Sequence, residues 1–373
     1  MDISFEKIKS ALIPKKGGDG VVGIDVGGGF LKIVELHKKG GKAVLDTYGE
    51  LALGPLAGLE VGQATILSTD QIVSAINDLF GEAKVKSRNL VFSLPLKSTL
   101  VTVIEMPDVG EAKLNEMIPI EARKYIPTSV TEVSLSHWVV PKIVRTYIDP
   151  DKAEGEKGAP PKVDVLLAAV HNDVLAKYDE IAKKLLATSH SYEIEIFSTI
   201  RAALGRDTSA TMILDIGAAT TKVSIIEEGV VRSSHLINVG SQDTTLALSR
   251  AKGISMLEAE EMKREFGLLG NPNDLSVAEI GRLAIERIFG EASRILVNYQ
   301  QAKRVSINKV VLSGGGALMK GVAELASKSF EAKVVYADAF EKVEAPAALT
   351  SLLRESGPEF AVAIGLALRS MER

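Results

Sequence analysis

Two short segments of this chain carry the same residue types at the same spacing. Asp25, Gly27 and Lys32 in the first half recur as Asp215, Gly217 and Lys222 in the second, each pair separated by 190 residues. Both turns are built from small residues: Gly27, Gly28 and Gly29 in one, and Gly217, Ala218 and Ala219, followed by Thr220 and Thr221, in the other. Small side chains let backbone N–H groups close around an anion, as tight turns do around phosphates, and the two threonine hydroxyls add donors. A carboxylate at the head of such a turn repels phosphate on its own. It makes sense when a hydrated Mg²⁺ lies between Asp25, Asp215 and a polyphosphate. A lone D-x-G is ordinary turn chemistry, but matched copies point to a duplicated unit whose halves clamp one polyphosphate. A third element runs Val310, Val311, Leu312, Ser313, Gly314, Gly315, Gly316. It reads as strand, glycine turn and helix, with helix N–H groups aimed at an anion or a ribose.

Elements that could hold these turns are legible on both sides. Apolar strands flank the first turn at 21–24 and 33–36 and the second at 212–214 and 223–226. A helix is expected over 69–80, capped by Thr69 or Asp70, with Ile72, Ile76 and Leu79 on one face. From Asn89 the pattern changes to strands at 90–94 and 99–105, a helix over 111–125 closed by Ile126 and Pro127, and strands at 133–140 and 143–148. That succession reads as a small α+β unit ending in a loop rich in proline, glycine and charge at 149–162. A strand at 163–170 and a helix at 173–186 return to the α/β alternation seen before Asn89, and 360–368 reads as a buried helix. The expected division is a leader at 1–20, a first lobe at 21–88, 163–206 and 345–373, an insertion at 89–162, and a second lobe at 207–344. In the leader, Phe5, Ile8 and Leu12 among lysines fit either a short basic amphipathic helix or a frayed end.

Composition narrows the function classes. The 373 residues are 46% hydrophobic and 25% charged, enough to bury a large core in two or three domains. Lys+Arg 44 against Asp+Glu 48 leaves a net charge of −4, so no global positive field exists to hold nucleic acid. The absence of cysteine removes disulfides, thiolate zinc sites and thiol nucleophiles, and suits a cytoplasmic protein. No run approaches the roughly 20 apolar residues of a membrane span, and the N-terminus does not read as a signal peptide. The G-x-G-x-x-G at 18–23 precedes a strand instead of following one, so it is not a dinucleotide fingerprint; no P-loop or G-x-S-x-G elbow is present, and the five histidines lack metal-ligand spacing.

The three turns together resemble the actin/Hsp70-like ATPase superfamily, with a phosphate-1 turn at 25–32, a phosphate-2 turn at 215–221 and an adenosine turn at 314–316. The resemblance implies an α/β, two-lobed actin-like ATPase fold of duplicated ribonuclease H-like lobes, with a small α+β subdomain inserted in the first. It further implies that ATP or ADP with Mg²⁺ binds between the lobes and that Lys32 reaches the terminal phosphates. Glu260 and Lys263, on a charged helical stretch, would flank the adenosine. A base or water-orienting group should come from the first lobe; Glu195 is the candidate and Glu193 the alternative, and Asp215 is a second catalytic candidate as well as a metal residue through water. Within the superfamily, Ile104, Glu105, Met106 and Pro107, with the helix running through 118–127, resemble the PilM family of cytoplasmic actin-like components of type IV pilus assembly. That resemblance implies a nucleotide-binding scaffold with slow or no ATP turnover, recruited to the inner face of the cytoplasmic membrane. Its partner would be the cytoplasmic tail of an inner-membrane pilus protein resembling PilN, seated near Met106, Pro107, Tyr125, Ile126 and Pro127. FtsA shares the lobe layout, but a membrane-targeting extension is not expected after 368. A filament former like FtsA or actin, and a small-molecule kinase of the same superfamily, are the rival expectations.

Overall fold

Two sheets of one design carry the two turns. The computed structural model describes residues 20–140, 161–205, 209–271, 274 and 276–371. In the first sheet β1 (Gly20–Val26), β2 (Phe30–Lys39) and β3 (Lys42–Ala52) form an antiparallel meander. β4 (Asn89–Leu94) and then β8 (Ser189–Ile194) extend it in parallel from β1, and the short β14 (Val343–Glu344) edges β3. The second sheet repeats the plan: β9 (Thr211–Ile216), β10 (Thr221–Glu227) and β11 (Val230–Ile237) are antiparallel, and β12 (Lys309–Ser313) and β13 (Lys333–Tyr336) run parallel beside β9. Register repeats as well as order, since Asp25 pairs with Lys32 and Asp215 with Lys222. This is the two-lobed actin-like fold of duplicated ribonuclease H-like lobes.

Central strands buried on both faces need helices on both. Val22, Ile24 and Phe92 point to α1 (Thr69–Glu82) and α3 (Asn172–Lys184), whose Ile76 and Ile181 are fully buried there. The alternate residues Val21 and Val91 meet Val362 and Leu366 of α9 (Thr350–Arg369) on the other face. Helix α9 is wedged between that sheet and α4 (Glu195–Ala203), so closely that a Cβ at Gly365 would lie 1.9 Å from the Ser198 carbonyl oxygen. In the second lobe α7 (Ser276–Lys303) covers Met212, Leu214 and Val223 with Ile285, Ile288 and Phe289.

A third sheet is antiparallel, with β7 (Lys162–His171) between β5 (Thr99–Pro107) and β6 (Val133–Val139). One face packs on α2 (Glu111–Ala122) through Ile104, Met106, Val165 and Leu167. The other turns Val101, Leu166 and Val170 toward the first lobe's core and toward Val230 and Val231 of β11. The Ser234 hydroxyl of β11 also donates to the Val101 carbonyl at 3.0 Å, so the inserted sheet rests on both lobes.

Several expected boundaries move. β4, expected to open the insertion, belongs to the first lobe's sheet, and β7, expected in that lobe, is the middle strand of the insertion. Both are apolar runs with no local mark of which sheet they join; pairing partners far away in sequence decide. The cap of α1 is Ser68, whose hydroxyl accepts from the Gln71 N–H at 3.3 Å while Gln71 Oε1 accepts from the Ser68 N–H at 3.0 Å. Thr69 and Asp70 have no Glu or Gln three residues on to complete such a box. α2 ends at Ala122 and tight turns carry the chain to Ile126. The expected leader helix, the strand at 143–148 and most of the loop at 149–162 lie outside the described residues.

Candidate functional site

Both repeated turns face one cleft of about 1170 Å³ between the lobes, and Asp25 and Asp215 both line it. The turns are closed identically, the Gly27 N–H donating to Phe30 O and the Gly217 N–H to Thr220 O, each at 3.0 Å. They approach each other so closely that a Cβ on Gly29 would lie 3.0 Å from the Ala218 Cβ. Gly28, Thr220, Glu260 and Lys263 also line the cleft, as do Gly314, Gly315 and Gly316. Of the phosphate and adenosine residues expected from sequence, Thr221 alone turns away. Its side chain is fully buried and its hydroxyl donates to Val239 O at 2.9 Å, because successive residues of a strand face opposite sides. Nor does a regular helix follow the third turn: Gly315–Leu318 is a single 3₁₀ turn and α8 (Val322–Ser329) starts later. Gly314 itself has φ 84°, and its N–H donates to Pro358 O of α9 at 2.8 Å.

Serines at matching places on β4 and β12 break the symmetry of the two aspartates. Ser93 Oγ donates to Asp25 Oδ1 at 2.7 Å. Ser313 pairs with Asp215 in register, yet its hydroxyl donates to Pro358 O at 3.1 Å. Asp215 instead accepts from Lys222 Nζ at 3.3 Å, and the same ammonium is 3.0 Å from Glu195 Oε2. Burial opposes charge on Lys222, but Asp215, Glu195 and Asp25 outweigh it and hold its pKa above the ordinary lysine value. Lys32 takes a different course, to 3.7 Å from Glu50 and 4.0 Å from Glu359 at the cleft wall. Lys222 is visible in the repeat, but only the fold brings it against Glu195.

Glu195 heads α4, buried, and its Oε1 accepts from the Leu96 N–H at 2.7 Å. Glu193, the alternative, does not line the cleft: Arg201 holds it by two hydrogen bonds of 2.5 and 2.8 Å, and Arg369 lies 3.7 Å away. Alternation along β8 sends it to the α9 side. On the opposite wall Glu260 accepts from Lys263 at 2.6 Å, Thr245 at 2.8 Å and Arg264 at 2.8 Å. Burial works against its charge, but these partners prevail and keep its pKa below the usual glutamate value. Two further contacts cross the cleft, Ala64 N–H to Gln242 Oε1 and the Leu257 N–H at the start of α6 (Met256–Phe266) to Glu60 Oε2, both 2.9 Å. The expected partner residues divide. Met106 and Ile126 are interior to the insertion, whereas Tyr125 and Pro127 are exposed and Pro107 half-buried.

Asp25 is where function and stability pull apart. Burial raises its pKa, partly offset by the Ser93 hydrogen bond and by Lys222 and Lys32. Between the unfolded and the raised folded pKa the native state keeps a proton that the unfolded chain has lost, so stability falls as pH rises through that window. Asp25→Asn is therefore expected to stabilise the ligand-free protein at neutral pH by roughly 0.5–2 kcal/mol and to flatten that pH dependence. Thermal melts of both proteins from pH 4 to 8 check this; equal midpoints throughout would contradict it.

Among the described residues no group of three His, Cys, Asp or Glu side chains is placed to chelate a metal. The carboxylates of Asp25 and Asp215 line the cleft on facing lobes, a donor set of the kind that fits a hydrated hard cation. No helix among the described residues is long and apolar enough to cross a membrane.

Similarity to known proteins extends over nearly the whole chain. The model of the family described as type IV pilus assembly protein PilM matches residues 23–371. Cell division protein FtsA of Neisseria meningitidis serogroup B is 23% identical over 348 residues, 85% of this chain and 82% of that protein. Among solved structures, the PilM-PilN type IV pilus biogenesis complex matches with a TM-score of 0.78 at 23% identity, covering 95% of this chain and 99% of the other. MreB5 of Spiroplasma citri bound to AMPPNP matches with a TM-score of 0.53 at 14% identity, covering 94% and 95%.

Proposed function

This chain belongs to the family of the type IV pilus assembly protein PilM, and on that premise we propose that it is an actin-like scaffold of pilus assembly with two ligands. One is ATP or ADP with Mg²⁺, held between the lobes. The other is the cytoplasmic tail of an inner-membrane protein resembling PilN, which would draw the scaffold to the inner face of the cytoplasmic membrane. One observation carries the nucleotide half: two turns of identical register, each headed by an aspartate, face a single cleft.

In this reading the backbone of Gly27, Gly28, Gly29 and Gly217, with Thr220, takes the phosphates. Gly314, Gly315 and Gly316 take the adenosine side together with Glu260 and Lys263. Asp25 and Asp215 would hold Mg²⁺ through water, and the ion would supply countercharge to the phosphates. Glu195 would be the water-orienting group, but the Leu96 N–H and Lys222 already engage its two oxygens, so turnover is expected to be slow or absent. The partner tail is assigned to the face bearing Pro107, Tyr125 and Pro127, where Ile120 and Tyr125 are 65% and 43% exposed. Because the inserted sheet contacts β11 as well as the first lobe, a change in lobe angle would move that face. Nucleotide would thereby bias partner affinity by shifting the balance of lobe positions.

Thermal melts test both halves. Mg·ATP at about 100 times its Kd should stabilise the wild type by about 2.7 kcal/mol, whereas Asp215→Ala should lose that gain. A PilN-like tail peptide should add a second shift that depends on nucleotide. A wild-type midpoint unmoved by Mg·ATP would remove the nucleotide assignment. Sedimentation with Mg·ATP alone should leave the protein small; large assemblies would favour a filament former of the FtsA kind.

A further inference from the structure

We infer that residues 53–67 form a strap that the first lobe lays across the mouth of the cleft, and that nucleotide enters and leaves when the strap lets go of the second lobe. The inference rests on the nucleotide reading above and adds a gate to that site. The strap joins β3 to α1 and is pinned at both ends, where Leu53 and Leu67 are buried. Two of its amides lie on the first phosphate turn, the Leu53 N–H donating to Gly29 O and the Thr65 N–H to Gly28 O, each at 2.9 Å. Ala64, Thr65, Ile66 and Leu67 line the cleft, and Ile66 is also 90% exposed, which sets this stretch at the rim.

Between its pinned ends the strap meets the second lobe at three points. The Ala64 N–H donates to Gln242 Oε1, on α5 (Ser241–Lys252), at 2.9 Å. Glu60 Oε2 accepts from the Leu257 N–H in the first turn of α6, also at 2.9 Å, where a carboxylate complements the helix dipole as well. Gly62, at φ 92°, lies so close to α6 that a Cβ would be 2.6 Å from Glu260 Oε2, the carboxylate assigned to the adenosine side. Apart from one 3₁₀ turn at Gly54–Ala57 the strap has no regular structure, and Gly58, Leu59 and Glu60 are exposed. Few packed side chains therefore hold its middle down, and a segment of that kind opens at low cost once its bonds break. Neither Glu60 nor the N–H groups of Leu257 and Ala64 are used by the nucleotide reading, and Glu60 is not on the cleft lining. These bonds are thus compatible with an empty and with a filled cleft. Bonds made equally in both states leave affinity unchanged and slow exchange in both directions.

The test is stopped-flow loading of the full chain with a fluorescent ATP analogue in Mg²⁺, followed by its release into excess unlabelled ATP. Glu60→Ala is expected to speed loading and release alike by about three- to tenfold, the range of one net hydrogen bond, with Kd within about twofold of wild type. The converse variant ties the strap down. Because the chain has no cysteine, Glu60→Cys with Leu257→Cys can be joined specifically by a short bifunctional thiol reagent. Before joining, the double variant should exchange as fast as Glu60→Ala; after joining, loading and release should both slow by about tenfold or more. Wild-type rates in Glu60→Ala, or a joined protein that loads as fast as the unjoined one, would overturn the inference and leave the nucleotide reading standing. Faster release with unchanged loading would also overturn it, since Glu60 would then contribute to affinity instead of to a gate. No binding of the analogue or of ATP by the wild type would overturn the nucleotide reading and this inference together.

Discussion

Gly365→Ala is expected to cost about 4 kcal/mol or more, the range of substitutions that a fold cannot absorb. The added Cβ would lie 1.9 Å from Ser198 O and 2.5 Å from Ser198 C. Both neighbours are backbone, so relief requires α9 and α4 to move apart. That contact also sets the cleft, since α9 carries Pro358 to the third glycine turn and Glu359 to within 4.0 Å of Lys32. Loss of soluble, cooperatively melting protein is the expected readout. Gly290→Ala in α7 makes the opposite control: nothing lies within 4 Å of the new methyl group, and removal of a helical glycine should stabilise by about 0.4–1 kcal/mol. If Gly365→Ala melts within a few degrees of wild type, the close crossing of α9 over α4 is wrong.

Gly314→Ala should abolish nucleotide-dependent stabilisation, while Gly315→Ala should leave it largely intact. At Gly314 a Cβ would meet Asp215 Oδ1 and Ile216 O, each at 2.4 Å, on a backbone at φ 84° that L-residues rarely adopt. Strain and overlap together are expected to cost about 3 kcal/mol and to push Asp215 from its place beside Lys222. At Gly315 the nearest atom would be Glu359 Oε2 at 3.8 Å, an ordinary contact. Thermal shifts with Mg·ATP on the two variants decide the matter. Equal loss in both would mean that the turn binds nucleotide through the surface of Gly315; equal retention would mean that it does not take part.

The physical reason for the first lobe's mistaken borders is the same one that hides the role of Lys222. β4 and β7 are both apolar six- to ten-residue strands, and hydrophobicity says that a strand is buried without saying beside which other strand. Likewise Glu193 and Glu195 stand two residues apart. Their opposite fates, an Arg201 clasp behind the sheet and a place on the cleft, depend on where β8 gives way to α4. Met106 and Ile126 show the complementary failure, since an apolar residue near a helix end carries no local mark to separate core from docking face.

The spacing of Asp, Gly and Lys, repeated 190 residues apart, is enough to reveal a duplicated strand–turn–strand and an expected polyphosphate cleft, because turn geometry and strand register are local properties; the actin-like architecture is expected from the resemblance of the three turns together. Tertiary structure alone decided which side chains meet across that cleft. A serine hydroxyl drawn to Pro358 in one lobe and to an aspartate in the other is a choice between acceptors 45 and 68 residues away. From that choice follows the placing of one lysine between two carboxylates of different lobes, since a hydrogen bond goes to the acceptor that packing brings within about 3 Å and not to the one nearest in sequence.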